Sequence, residues 1–110
     1  MASGECNCGA VKFEIDTDLS GVYVCHCSIC RRFTGSNGIA VVVVSNDQFR
    51  WVAGQEHIAT WKKPNANWQT WFCGVCGSPV PGENDPTRMY VPAGSITQGG
   101  DALTVLHHIW

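Results

Sequence analysis

The sequence predicts a small, mainly β domain that is held together by metal ions and contains little helix. Three observations support this prediction: short apolar runs of strand length, frequent Pro and Gly between them, and seven cysteines in tight clusters. At 110 residues, of which 45% are hydrophobic, the chain is long enough for one domain, residues 1–110. A core of this size is modest, so a cross-link would add needed stability.

The predicted strands follow two kinds of apolar pattern. Val11, Phe13 and Ile15 alternate with polar residues, as in a strand with one buried face. Residues 38–44 form a continuous apolar run with four successive valines, which predicts a central strand buried on both faces. A turn around residues 53–55 is expected to join strands at 49–52 and 57–62, and further strands are predicted at 22–24, 69–72 and 103–110. The one helical segment predicted is a turn or two at residues 28–33, with Ser28 as a candidate cap.

Charge and hydropathy argue against several classes of function. The formal net charge of −2 provides no basic excess for nucleic-acid phosphates, so no nucleic-acid partner is expected. No apolar run approaches the roughly 20 residues of a membrane span, so no membrane partner is expected either. The N-terminus has neither the basic start nor the apolar run of a signal peptide, which predicts a cytoplasmic protein with reduced thiols. No pattern in the sequence indicates an oligomeric state.

The cysteines form three clusters: Cys6 and Cys8 in a CxC, Cys25, Cys27 and Cys30 in a CxCxxC, and Cys73 and Cys76 in a CxxCG. The odd number and the tight spacing favour metal binding over disulfides. A CxxCG turn lets two thiolates reach one ion at about 2.3 Å, but a structural zinc site takes four ligands. The CxC is the only other pair, and its two side chains project to the same side of an extended segment. The two pairs therefore predict a closed structural zinc site that joins the N-terminus to the last third of the chain.

The three cysteines of the CxCxxC predict a site for a second zinc ion. Three protein ligands and an open fourth position are typical of a reactive zinc. The alternative is a second structural site that is closed by a histidine, with His57, His107 and His108 as candidates. His26 lies between two ligands and is expected to point away from the metal.

The ligand set of this second site also indicates a type of chemistry. Three thiolates leave a zinc site with a net negative charge, which suits a substrate thiol better than the activation of water. Arg31 and Arg32 follow directly and are either partners for a substrate carboxylate or two solvated arginines. Most of the tryptophans are expected to pack against the sheets, and one or two could line the open zinc site.

Three stretches of the sequence carry a resemblance to a known family. They are CNCGAVKF at residues 6–13, CHCSICRR at residues 25–32 and FCGVCGS at residues 72–78. In this order and spacing they resemble the family of glutathione-dependent formaldehyde-activating enzymes, which also includes centromere protein V. The likeness runs from about Cys6 to the C-terminus and includes residues 49–54 and 107–110.

The resemblance implies a β-tent fold of small antiparallel sheets stapled by zinc. It also implies a structural zinc on Cys6, Cys8, Cys73 and Cys76, and a catalytic zinc on Cys25, Cys27 and Cys30. The family's named activity, classed with the carbon–sulfur lyases, joins glutathione to formaldehyde as S-hydroxymethylglutathione, so glutathione is the implied co-substrate and a small aldehyde its reaction partner. The alternative function is a non-catalytic, zinc-structured binding module of the same fold. Members of the family often continue past the equivalent of Trp110, so the resemblance implies a short C-terminal tail that this sequence does not include.

Overall fold

The computed structural model describes all 110 residues and confirms a mainly β chain with one short α-helix. The helix α1 covers Ser28–Thr34, and 3-10 turns cover Asn46–Gln48, Gln55–His57 and Ala93–Ser95. The strands are β1 (Ala2–Glu5), β2 (Lys12–Ile15), β3 (Gly21–Cys25), β4 (Ile39–Ser45), β5 (Phe49–Ala53), β6 (Ile58–Lys62), β7 (Gln69–Cys73), β8 (Gly82–Asp85), β9 (Arg88–Pro92), β10 (Ile96–Gln98) and β11 (Thr104–Ile109). No helix in the structure is long and apolar enough to span a membrane.

The strands form three small sheets. The first sheet has the order β10-β1-β2-β5, and all of its neighbouring strands are antiparallel. The second has the order β11-β3-β4-β9-β8, with the valine-rich β4 at its centre as predicted. The third is the β6–β7 hairpin. One pair departs from the antiparallel expectation, since β11 lies parallel to β3 at the edge of the second sheet.

The first two sheets enclose the main core. Phe13 and Ile15 of the first sheet are buried against Val42, Val44 and other residues of the second. Because side chains alternate along a strand, the second sheet places Val41 and Val43 on its opposite face, where they are only partly exposed. The prediction that residues 38–44 are buried on both faces therefore holds for Val42 and Val44 on one face and for Ile39 on the other, whereas Val41 and Val43 are only half-buried.

A second, smaller core lies beside the β6–β7 hairpin. It contains Cys6, Val11, Cys73 and Val80, all of them buried, and the Trp51 and Trp71 rings pack against it. Two of its four members are predicted metal ligands. Cysteine clustering and hydrophobic burial therefore occur at the same place, where the N-terminal turn meets the end of β7.

Four strands are absent from the sequence-based prediction: β1, β8, β9 and β10. These strands are three to five residues long, and most of them contain Gly, Ser, Asn, Asp or Pro, so they lack a clear alternating pattern. The strands at 49–52 and 57–62 are predicted correctly, but they do not pair with each other. Gly54, at φ +84 between them, packs so closely on Ala10 that a Cβ could not be accommodated, and the chain leaves one sheet for another at this point.

Candidate metal centres

The first candidate centre is formed by four cysteines, Cys6, Cys8, Cys73 and Cys76. Their sulfur atoms all lie within 4.8 Å of one another. The Cys6 and Cys8 sulfurs are 3.6 Å apart, and those of Cys8 and Cys73 are 3.8 Å apart. Four sulfurs around one zinc at about 2.3 Å would be separated by about 3.8 Å, whereas a disulfide requires about 2.05 Å. The spacing therefore fits a tetrahedral metal site and does not fit disulfides.

Two tight turns present these sulfurs. The first follows β1, where the Gly9 N–H donates to the Cys6 carbonyl at 3.0 Å, and the second follows β7, where the Gly77 N–H donates to the Cys73 carbonyl at 2.7 Å. Both glycines have φ of +79, a conformation that other residues adopt at a cost. The CxCG and CxxCG patterns thus have the same local role.

Hydrogen bonds from the protein stabilise negative charge on the sulfurs of this centre. Backbone N–H groups of Val11 and Val75 donate to the Cys6 and Cys73 sulfurs at 3.3 and 3.4 Å. The Ser78 hydroxyl lies 3.2 Å from the Cys76 sulfur, and this contact is the main cause that lowers the pKa of Cys76 to about 5. Such donors offset the charge that accumulates when several thiolates share one ion.

The neighbouring thiols also indicate what a cation would do at this centre. A backbone hydrogen bond at Ala10 favours the Cys8 thiolate, but desolvation and the adjacent sulfurs outweigh it and raise the pKa of Cys8 to about 12. Four thiols this close cannot all ionise without a positive charge between them. The donor set therefore fits a thiophilic divalent ion.

The second candidate centre contains Cys25, Cys27 and Cys30, whose sulfurs also lie within 4.8 Å of one another. Cys25 ends β3, Cys27 is the N-cap of α1, and Cys30 lies in the first turn of the helix. The Cys30 N–H donates to the Cys27 sulfur at 3.3 Å. The predicted cap, Ser28, is therefore wrong by one residue, because the thiol of Cys27 takes the place of the usual hydroxyl.

Burial distinguishes the three sulfurs of this centre. Cys30 is 2% exposed, and burial together with its cysteine neighbours raises the pKa of its thiol. Burial also disfavours the Cys27 thiolate, but the hydrogen bonds from Cys30 and Ile29 outweigh it and lower the pKa of Cys27. Here too, a bound cation would remove the conflict between adjacent thiolates.

No fourth protein ligand joins the three sulfurs within this distance. His26 points away, as expected: its Nδ1 lies 2.6 Å from the Asn37 carbonyl and its Nε2 lies 2.7 Å from Nδ1 of His108. His107 stacks on Tyr23 with ring centroids 5.9 Å apart. His57 lies 3.6 Å from the Glu56 carboxylate. None of the three candidate histidines is part of the cluster.

Tyr90 lies on the same face of the second sheet as Cys25. The register places Cys25 opposite Ile39 and Tyr90 opposite Val43, on the face that points away from the main core. The Tyr90 ring meets the Trp71 ring edge to face, at 5.9 Å between centroids. Its hydroxyl is buried and has no hydrogen-bond partner in the protein. Burial raises the pKa of Tyr90, and negative charge at Cys30 adds to this effect.

Sequence analysis did not identify Tyr90, and no signal in the sequence would have done so. Its strand was itself not predicted, and a single tyrosine in a strand is usually a packing residue. A buried hydroxyl without a partner is uncommon in native proteins and therefore points to a ligand or water at this position.

Comparisons with known proteins agree with the fold and identify the family. A family model described as glutathione-dependent formaldehyde-activating enzyme matches residues 1–110. A Halomonas elongata protein, provisionally named a glutathione-dependent formaldehyde-activating enzyme, is 29% identical over 83 residues, which cover 71% of this chain and 53% of the relative. The match thus spans about half the length of that relative. The crystal structure of a Rhodobacter sphaeroides protein has the same fold, with a TM-score of 0.70 and 24% identity over 87% of this chain and 88% of that chain. Because the family model matches the chain over its whole length, the chain belongs to the family of glutathione-dependent formaldehyde-activating enzymes.

Proposed function

We propose that this protein joins a thiol, with glutathione as the candidate, to formaldehyde or a related small aldehyde at the cluster of Cys25, Cys27 and Cys30. The product would be an S-hydroxymethyl thioether, and the reaction belongs with those of the carbon–sulfur lyases. Cys6, Cys8, Cys73 and Cys76 would hold a second zinc ion with a structural role. Family membership and the two sulfur clusters support this proposal.

One observation carries the enzyme proposal: the second cluster offers three thiolates and no fourth protein ligand. A zinc ion held by these three cysteines would have room for an exogenous thiol and would favour its thiolate form at neutral pH. The overall reaction is balanced without an oxidant or reductant. The thiol loses its proton and its sulfur forms a bond to the aldehyde carbon. The π bond of the carbonyl breaks, its electron pair moves to the oxygen, and that oxygen gains a proton.

Tyr90 is the candidate for the group that meets the aldehyde oxygen. Negative charge develops on that oxygen as the carbon–sulfur bond forms, and a hydrogen-bond donor at this point stabilises the transition state. The Tyr90 hydroxyl is buried and unpartnered, and its raised pKa keeps the proton on the oxygen at neutral pH. The partly buried Trp71 ring beside it would help to exclude water.

The test is direct observation of the reaction by NMR, with carbon-13 formaldehyde and glutathione. We expect the protein, at its full metal content, to increase the rate at which S-hydroxymethylglutathione forms above the spontaneous rate. Magnetisation exchange between free and bound formaldehyde carbon would measure this rate at equilibrium. The same rate with and without protein, across several thiols and small aldehydes, would reject the enzyme proposal.

A second candidate function, a zinc-structured binding module, is favoured by the edge strand β11. Val105, Leu106 and Ile109 on this strand are each more than 40% exposed, and Trp110 is 89% exposed. An apolar strand at the edge of a sheet is a surface on which another segment can pair. Under this reading the Cys25, Cys27 and Cys30 cluster would be structural, and its removal would damage the fold as much as loss of the four-cysteine cluster.

A further inference from the structure

The positively charged side chains of this protein divide into two groups. Three of the seven Lys and Arg residues form ion pairs with carboxylates. Lys12 pairs with Glu5, Arg50 with Glu14, and Arg88 with Asp85. The other four form no ion pair with a carboxylate, and they are Arg31, Arg32, Lys62 and Lys63. All four lie on α1 or at the end of β6, so the unpaired positive charge belongs to two short segments of the chain.

Two of these unpaired cations, Arg32 and Lys63, line one cavity. The cavity has a volume of about 320 Å³ and lies between α1 and the β6–β7 hairpin. Aromatic side chains supply much of its wall, Phe33 from the helix and Trp61, Trp68 and Phe72 from the hairpin, and no carboxylate lines it. Its volume lies at the lower end of the range for small-molecule sites, which is about 300–1,000 Å³.

One further wall residue lacks a partner in the protein. The indole N–H of Trp68 is buried and makes no hydrogen bond. A buried donor is rarely left unpaired, so an acceptor from outside the protein is expected there. The cavity thus combines aromatic walls with two cations that have no carboxylate partner, of which Arg32 donates only to the Ser28 hydroxyl at 3.4 Å. Together these features suit a carboxylate attached to a small organic molecule.

The cavity lies beside the three-cysteine centre. Phe33 lines the cavity and is three residues after Cys30 on α1, so the two side chains lie on adjacent parts of the helix surface, with Cβ atoms about 5–6 Å apart. A ligand seated in the cavity could therefore extend past Phe33 towards the three sulfurs.

We propose that the cavity between α1 and the β6–β7 hairpin binds the carboxylate-bearing part of the thiol substrate, with Arg32 and Lys63 as its charge partners. This inference rests on the proposed function for the identity of the ligand, and it assigns residues outside the cysteine clusters to recognition. It predicts selectivity for thiols that carry a carboxylate over neutral thiols of similar size.

The experiment measures binding without chemistry. S-methylglutathione keeps both carboxylates but has no free thiol, so its binding reports on the cavity and does not require metal coordination. Tryptophan fluorescence and calorimetry would follow the titration, since Trp61 and Trp68 line the cavity. We expect the Arg32→Gln/Lys63→Gln double variant to bind at least about tenfold more weakly, a loss typical of hydrogen bonds to charged groups. The dimethyl ester of S-methylglutathione should bind the wild type more weakly by a similar factor.

Lys62→Gln, compared with the single variant Lys63→Gln, is the matched control, because each removes one positive charge at adjacent positions and Lys62 lines a different cavity. It should bind S-methylglutathione within about twofold of the wild type. Equal affinity in the wild type and the double variant, or equal affinity for the acid and the ester, would overturn the proposal. A further contrary result would be that a short single-stranded oligonucleotide displaces S-methylglutathione and that Lys62→Gln weakens binding as much as the double variant does. These two results together would indicate a nucleic-acid surface and would also overturn the proposal.

The outcomes for the cavity and for the enzyme proposal are separable. If the protein enhances the rate in the NMR assay and the double variant has an unchanged KM for glutathione, the enzyme proposal stands and the proposal that the cavity binds the carboxylate is rejected. If S-methylglutathione binds in a charge-dependent way but the protein does not enhance the rate, the proposal for the cavity stands and the enzyme proposal is rejected.

Discussion

The two cysteine clusters use the same side chain for different structural tasks. The four-cysteine cluster joins residues far apart in the chain, since Cys8 and Cys73 are 65 positions apart and their sulfurs are 3.8 Å apart. The three-cysteine cluster lies within residues 25–30 and closes no long loop. Closing a long loop restricts the unfolded chain far more than closing a short one. The difference supports the proposal that a metal at the first cluster would stabilise the fold, whereas a metal at the second would be the one that takes part in chemistry.

The largest effect is expected from Cys76→Ser, which removes one ligand of the four-cysteine cluster. Cys76 is exposed, so the substitution changes the ligand set without opening a cavity in the core. A structural zinc contributes about 10–16 kcal/mol to folding in small zinc domains, which matches or exceeds the whole stability of a typical domain, about 5–15 kcal/mol. The variant should lack a cooperative thermal transition by circular dichroism. A transition within a few degrees of the wild type would show that this cluster does not support the fold.

Cys27→Ser should affect function and leave the fold intact. Serine is a good N-cap, so α1 keeps a hydrogen-bond acceptor for the Cys30 N–H. We expect metal analysis to find one zinc per chain where the wild type holds two, with the circular dichroism spectrum unchanged and the rate enhancement lost. If this variant unfolds as Cys76→Ser does, the two clusters are equivalent and the binding-module reading is favoured.

Tyr90→Phe separates catalysis from stability at the three-cysteine centre. The substitution removes a buried hydroxyl that has no protein partner, so the free energy of unfolding should stay the same or rise by about 1 kcal/mol. In the proposed reaction this hydroxyl stabilises the charge on the aldehyde oxygen, so kcat should fall by about 10- to 100-fold. Denaturant unfolding and the NMR exchange assay give the two values. A loss of stability with unchanged kcat would mean that the hydroxyl has a structural role, satisfied by water.

The smallest effect is expected from Ser78→Ala, which changes the surroundings of the four-cysteine cluster. The Ser78 hydroxyl contacts the Cys76 sulfur and also accepts a hydrogen bond from the Asn7 N–H at 3.1 Å. Without it the pKa of Cys76 should rise, so protons would compete with zinc at higher pH. Zinc affinity at this cluster should fall by about tenfold, and half of this zinc should be released at a higher pH than in the wild type. A chelator titration that finds the three-cysteine centre weakened instead would contradict the assignment of Ser78.

The sequence predicted the cysteine clusters better than the sheets. The CxC, CxCxxC and CxxCG spacings predicted the groups of four and three sulfurs that lie close together in the structure. Each motif forms a local turn that brings its own sulfurs together, and the pairing of the CxC with the CxxCG followed from the four ligands that a structural zinc takes. The choice between an open position and a histidine ligand could not be settled from the sequence, since it depends on the parallel pairing of β11 with β3, which places His107 on Tyr23 and His108 on His26. The role of Tyr90 and the cavity between α1 and the β6–β7 hairpin could not be predicted either. They come from contacts between strands that are distant in sequence and carry no local pattern.

The central claim is that the two clusters hold two ions, of which only one is open to an exogenous thiol. Cadmium-113 NMR of the cadmium-substituted protein tests it most directly, because each ion reports its own ligand set. The account predicts two resonances of equal intensity, of which only one shifts on addition of glutathione, and that one should be missing from the Cys27→Ser variant. A single resonance, or two resonances that both stay unchanged with glutathione present, would contradict it.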